Sequence, residues 1–246
     1  MKVTQKILTV AIAMSFSFSA QGQEEEWIAN AGLSGIVNTG NAENSTFGGN
    51  ALVSYKYDRN LFSWTKDGAY GRATDATTGI ASTNARNWKT GLRYDRFLSD
   101  PLSVFTLGHI GENKPAGFDS RFGAAAGLAY SIFKNDINTL RFEGGYDWTH
   151  EERVAAGDAD IHSGRLFGQY THKLNQNVYF AQDIESLFNL VDGDDIRLNS
   201  LTSLIIALSE KVGFQVGYQV RFDNVPVAGF KKTDTQTQLG LTVNFL

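Results

Sequence analysis

The residues of this 246-residue chain that could move protons are four histidines and 26 acidic side chains, and there is no cysteine. On an extended strand, side chains two positions apart share a face, so a histidine base and a serine nucleophile on one strand must stand two apart. His109, His150, His162 and His172 are followed at that position by Gly111, Glu152, Gly164 and Leu174. His162 and Ser163 are adjacent and point to opposite faces of a strand. The histidines are therefore expected at interfaces or in loops, with no catalytic residue among them. Asp192, Asp194 and Asp195 in "VDGDD" could hold a divalent ion, and the plainer reading is a solvated acidic turn. No EF-hand loop, phosphate-binding glycine motif, zinc spacing or dinucleotide fingerprint occurs, and no cofactor is implied.

The other charged side chains are spaced by the elements that carry them. "VGFQVGYQVRFD" places Val212, Phe214, Val216, Tyr218, Val220 and Phe222 on one face, and "LRFEGGYDWTHE" alternates likewise from Leu140 to Trp148. Such period-2 alternation marks a strand with one apolar and one polar face. Cutting at turn signals predicts twelve strands, starting near Trp27, Ser45, Leu61, Asn84, Leu102, Phe118, Thr139, Ile161, Val178, Ile196, Val212 and Thr233. Their polar faces hold Lys89, Arg93, Arg121, Arg141, Arg165, Lys173, Arg197 and Arg221 beside Glu143, Asp147, Asp183, Glu185 and Asp223. These are the candidate site residues: they set ion preference if they line water, and fill and brace the interior if they pair. Two strands resist assignment. A fixed alternation places Lys66 beside Phe62, Trp64 and Tyr70, which points to a bulge or to a different register, and "PLSVFTLGHIGE" around His109 is apolar at both parities.

Connections alternate in character. Those containing "DRN", "LSDP", "KNDIN", "LNQN" and "SEK" are tight, and Tyr57, Tyr94, Tyr130 and Tyr170 each precede a tight turn. The intervening ones are mostly longer and richer in Gly, Ala and charge. The start is different: Lys2 and Lys6 precede the apolar run from Ile7 to Phe18, with small Ala20 and Gly22 after it, which reads as a cleaved export leader at 1–22. Its removal takes two of the 22 basic residues and no acidic one, leaving 20 against 26 and a net charge of −6 over 23–246. Nucleic acid is an unsuitable partner for such a chain. Without cysteine, stability must come from a continuous hydrogen-bonded framework or a large core.

Two architectures use many alternating strands: a soluble sandwich or barrel with its apolar face inward, and a membrane barrel with that face outward. Polar faces rich in Gly, Ala, Ser, Asn and Gln, rings near strand ends, an even strand number and an export leader together predict the second. The expected fold is all-β, a closed antiparallel transmembrane barrel of about twelve strands in up-and-down order, located in the outer membrane. Since an unpaired backbone group in hydrocarbon costs several kcal/mol, the last strand, "TQTQLGLTVNFL", must close on the first, near Trp27.

"NTGNAENST", "YKYDRN" and "NWKTGLRYDRFLSDPLSVF" resemble the YdiY-like salt-induced outer-membrane protein family, grouped as a domain of unknown function. The resemblance covers essentially all of 23–246. It implies a Gram-negative outer-membrane barrel with a link to salt response, and it supplies no catalytic residue to carry over. The chain departs from the usual barrel ending, an aromatic residue, in having Phe245 penultimate. Expected partners are outer-membrane lipid and lipopolysaccharide, the barrel-assembly machinery, and small solutes or ions. A structural or narrow-channel role in salt or osmotic adaptation is the expected function. The alternatives are a lipid-modifying enzyme and a soluble periplasmic β-domain that binds a ligand.

Overall fold

The computed structural model describes residues 8–10, 26–38, 43–74, 80–154 and 157–245. Three residues within the expected leader, β1 (Leu8–Val10), lie antiparallel on the outer half of β2 (Glu26–Asn38). The remaining strands are β3 (Glu43–Tyr57), β4 (Asn60–Thr74), β5 (Ala81–Phe97), β6 (Leu102–Asn113), β7 (Phe118–Lys134), β8 (Asn138–Arg153), β9 (Ala159–Lys173), β10 (Val178–Asn189), β11 (Ile196–Ala207), β12 (Val212–Asp223) and β13 (Thr233–Asn244). Each of β2 to β13 pairs antiparallel with its chain neighbours, and β13 returns to β2. This is a closed twelve-stranded up-and-down barrel, and its strands begin within three residues of the positions predicted from the turn signals. The only helical piece among the described residues is the 3₁₀ turn Lys114–Ala116, between β6 and β7.

The apolar faces point outward. Trp27, Phe62, Leu92, Leu128, Phe142, Leu166, Tyr218 and Leu241 are all exposed. A soluble β-domain needs that face inside, so the soluble alternative does not describe this fold. Tyr57, Tyr94, Tyr130 and Tyr170 lie near the tight-turn end of the outer surface, where a ring with a polar tip suits a boundary between hydrocarbon and water. Both unassigned strands resolve. On β6, Ser103 and Phe105 are buried inside while Val104 and Ile110 are exposed outside, which turns His109 inward. On β4 the expected bulge at Lys66 is absent: Lys66 registers with Ala51 and Thr90 without a break, the register shift comes later at Gly71/Arg72, and the lysine faces outward with Phe62 and Tyr70.

Closure is short. β13 registers with β2 over four pairs, Leu241–Asn244 against Leu33–Asn30, and the Phe245 N–H adds a bond of 2.9 Å to the Ala29 carbonyl. By comparison, β12 and β13 are registered over the eleven residues from Val212 to Phe222. Leu246, expected to end the closing strand, lies outside the described residues.

Candidate functional site: the barrel interior

The interior begins with a wall of missing side chains. Ala125 and Ala129 of β7 are buried, and Gly127 of β7 is registered with Gly145 of β8 so closely that neither has room for a Cβ. Against this flat wall lies Phe105, which is fully buried with Leu107 beside it. The Arg93 and Arg165 guanidinium carbons stand 4.5 and 5.5 Å from the Phe105 ring centre, within cation–π range. The small residues let long side chains lie along the wall and converge.

They converge on two carboxylates of β8. Glu143 meets Arg93 at 2.7 Å, Arg141 at 3.2 Å and Arg165 at 2.8 Å. Asp95 takes Arg93 at 2.6 Å and Arg141 at 2.6 Å, and Glu185 takes Arg165 at 2.7 Å. This first lattice joins three arginines to three carboxylates, and the Arg93–Glu143 and Arg141–Asp95 bonds pass over β6 and β7 to link β5 with β8. Eight residues on, Glu151 is fully buried among Arg121 at 2.5 Å, Arg153 at 2.8 Å and Arg197, which also meets Asp195 at 3.1 Å and Asp223 at 3.5 Å. The second lattice is again three to three, and its Arg197–Glu151 bond passes over β9 and β10. Buried charge is tolerated only when paired and hydrogen-bonded, and both clusters meet that condition by internal neutrality.

The other sequence-predicted residues stand apart from the lattices. Asp147 accepts a bond from Thr149 at 2.9 Å, and Asp183 accepts one from the Gln169 amide at 3.0 Å. Arg221 donates to Gln219 at 2.9 Å, the Lys173 ammonium lies 5.8 Å from the Tyr179 ring centre, and Lys89 is registered opposite Asp67. Sequence reasoning missed Asp95, Glu151 and Arg153, having placed them in or beside connections. Parity could have found them, since Asp95 continues the face of Lys89 and Arg93, and Glu151 and Arg153 continue that of Arg141, Glu143 and Asp147. Asp195, expected in a solvated acidic turn with an ion site as the other reading, is buried and pairs with Arg197. Among the described residues no group of three or more His, Asp or Glu side chains is placed to hold a metal.

Opposite the lattices, the wall formed by β12, β13, β2, β3 and β4 carries mostly Gly, Ser, Thr, Asn and Gln: Gly217, Gly240, Thr242, Asn30, Gly32, Gly48, Ser63 and Thr65, with Glu26, Lys56, Asp67, Arg221 and Asp234 as inner charges besides Asp223 of the second lattice. On this wall Asn30 and Gln215 are nearly fully buried, and both amide atoms of Asn30 and the Gln215 oxygen have no protein partner. Buried amides of that kind are normally satisfied by ordered water. The histidines face elsewhere or make no nucleophile contact. His150 bonds Asp160 at 2.9 Å, His162 bonds Tyr146, His172 bonds Asn138 at 2.8 Å, and the buried Nδ1 of His109 has no partner.

Residues 31–245 match the family described as protein of unknown function, DUF481. The chain belongs to this family. It is 27% identical over 126 residues to "Uncharacterized protein YdiY" of Escherichia coli (strain K12), a match that covers 51% of this chain and 48% of that protein, about half of each. Its backbone is similar to that of the porin NanC, with a TM-score of 0.54 at 12% identity over 89% of this chain and 100% of the porin. At that identity the likeness is one of fold. The DUF481 barrel shares a porin's architecture.

Proposed function

We propose that this chain is an integral outer-membrane barrel, exported by its leader at 1–22, whose interior is a narrow water-filled passage for small solutes or ions. One observation carries the reading: both ion-pair lattices are built around β8, between β5 and the end of β12, and the facing wall is lined by small polar groups with unpaired buried amides. A barrel meant only to be solid would fill that wall too, since interiors are otherwise packed closely. The exposed apolar belt meets lipid and lipopolysaccharide, and the barrel-assembly machinery is its partner in insertion. Salt or osmotic adaptation, which the family resemblance implies, is the proposed physiological setting. Enzymatic action on lipid has no support in the hydrogen bonds of the histidines, none of which reaches a serine or threonine.

Conductance across planar bilayers tests the passage. Folded protein, verified by its strand circular dichroism and heat-modifiable mobility, is expected to give small discrete steps. Silence from folded protein, with the mouth unobstructed as described below, would sink the reading.

A further inference from the structure

The connection between β12 and β13, Asn224–Lys232, does not stand upright at the rim. Val227 at its centre is only 4% exposed, and the Phe230 ring lies on Gly117: a Cβ at that glycine would fall 2.9 Å from the ring. Gly117 follows the 3₁₀ turn between β6 and β7. In a ring of twelve strands in chain order, the β12–β13 connection and the β6–β7 connection are six strands apart by either route, on opposite sides of the mouth. From Thr233 back to Phe230 the chain can reach about 10 Å, so the Lys114–Gly117 turn must also lean in. The two rims meet over the lumen.

The meeting is built into the sequence. Gly117 at φ 87° and Gly229 at φ 91° adopt the left-handed conformation that glycine takes without strain, and Gly117 also leaves the space that the ring occupies. Phe230 closes a turn on the Val227 carbonyl at 3.0 Å. The base of the segment is hydrogen-bonded at both ends: the Asp223 N–H donates to the Lys232 carbonyl at 2.8 Å and the Lys232 ammonium to the Asn224 amide oxygen at 2.9 Å. Asn224 bonds the Ile196 carbonyl through its N–H at 3.0 Å and the Asp194 carbonyl through its amide at 2.9 Å, Val225 N–H bonds Asp223 at 2.9 Å, and Asp223 faces Arg197 of the second lattice at 3.5 Å. Across the mouth, the contact that the structure gives among the described residues is the Phe230 ring packed on Gly117, an apolar one. A segment with a hydrogen-bonded base and an apolar tip can swing without breaking its anchors.

We propose that Asn224–Lys232 is a lid: docked, Phe230 on Gly117 closes the loop end of the passage, and undocked, the passage is open. This rests on the channel reading and adds the place at which flow is controlled. Flow is measured in planar bilayers for three folded proteins: the full chain as matured, Phe230→Ala, and a variant with Pro226–Lys231 replaced by Gly-Ser. Both variants are expected to raise open probability at least tenfold, the shortened lid most. If all three conduct alike, the lid is refuted and the channel stands. If none of the three conducts, the channel reading falls and the lid with it. A silent full-length barrel beside a conducting shortened one supports both.

Discussion

Lys66 is the residue whose position was hardest to read and whose consequence is simplest. It faces outward four positions from Phe62 and four from Tyr70, which puts an ammonium midway between two rings that mark the edges of the apolar belt. A lysine at the bilayer midplane costs a barrel about 2–4 kcal/mol. Lys66→Leu is therefore expected to raise folding stability in lipid vesicles by that amount, read as a shift in the guanidinium midpoint; a loss of stability would show that something satisfies the charge. Glu151 gives the opposite case. It is buried among Arg121, Arg153 and Arg197, so Glu151→Gln leaves three guanidinium groups short of their shared counter-charge and should cost about 3–5 kcal/mol in the same assay. Parity on a single strand located Arg93, Arg141, Glu143 and Arg165 on the inner face. It could not show which charges meet, because Arg93 and Glu143 are 50 residues apart and join only once the sheet has closed.

Elements were the most legible level, because a strand with one apolar face carries its own record at every second residue. Their edges were less so. The Glu151 and Arg153 end of β8 looks like a charged loop in sequence, and only the partner arginines reveal it as strand. Two features of the elements predict behaviour. The Gly127 and Gly145 pair has no room for a methyl group: a Cβ on Gly127 would stand 2.2 Å from the Gly144 carbonyl oxygen. Gly127→Ala and Gly145→Ala should each destabilise by about 1–3 kcal/mol, and the first lattice should be disturbed with them. At the seam, the first two-thirds of β13, from Thr233 to Gly240, has no register partner on β2 among the described residues, while Leu241–Asn244 does. Amide exchange followed by mass spectrometry is expected to be faster over Thr235–Gly240 than over Val216–Val220 of neighbouring β12, and equal protection would show that the seam is longer.

At the scale of the molecule, the two lattices are each neutral, so they brace the barrel without charging its passage. The remaining inner charges are of both signs, among them Lys56, Lys89, Lys173 and Arg221 against Glu26, Asp67, Asp147, Asp183 and Asp234. The passage should consequently select by size far more than by sign: in a potassium chloride gradient the reversal potential is expected near zero, and a large potential of either sign would mean that one of these charges dominates the narrowest point. The position of β8 has a further consequence, for the order of events during assembly. Its two carboxylates recruit arginines from β5, β7, β9 and β11, so the second cluster cannot be complete until Arg197 has been delivered, some four-fifths of the way along the chain. A chain delivered only through β8 holds both carboxylates with Arg93, Arg121, Arg141 and Arg153, and still lacks Arg165 and Arg197. The Glu151 cluster must stay hydrated until late, and the step that buries it coincides with the arrival of the strands that close the ring.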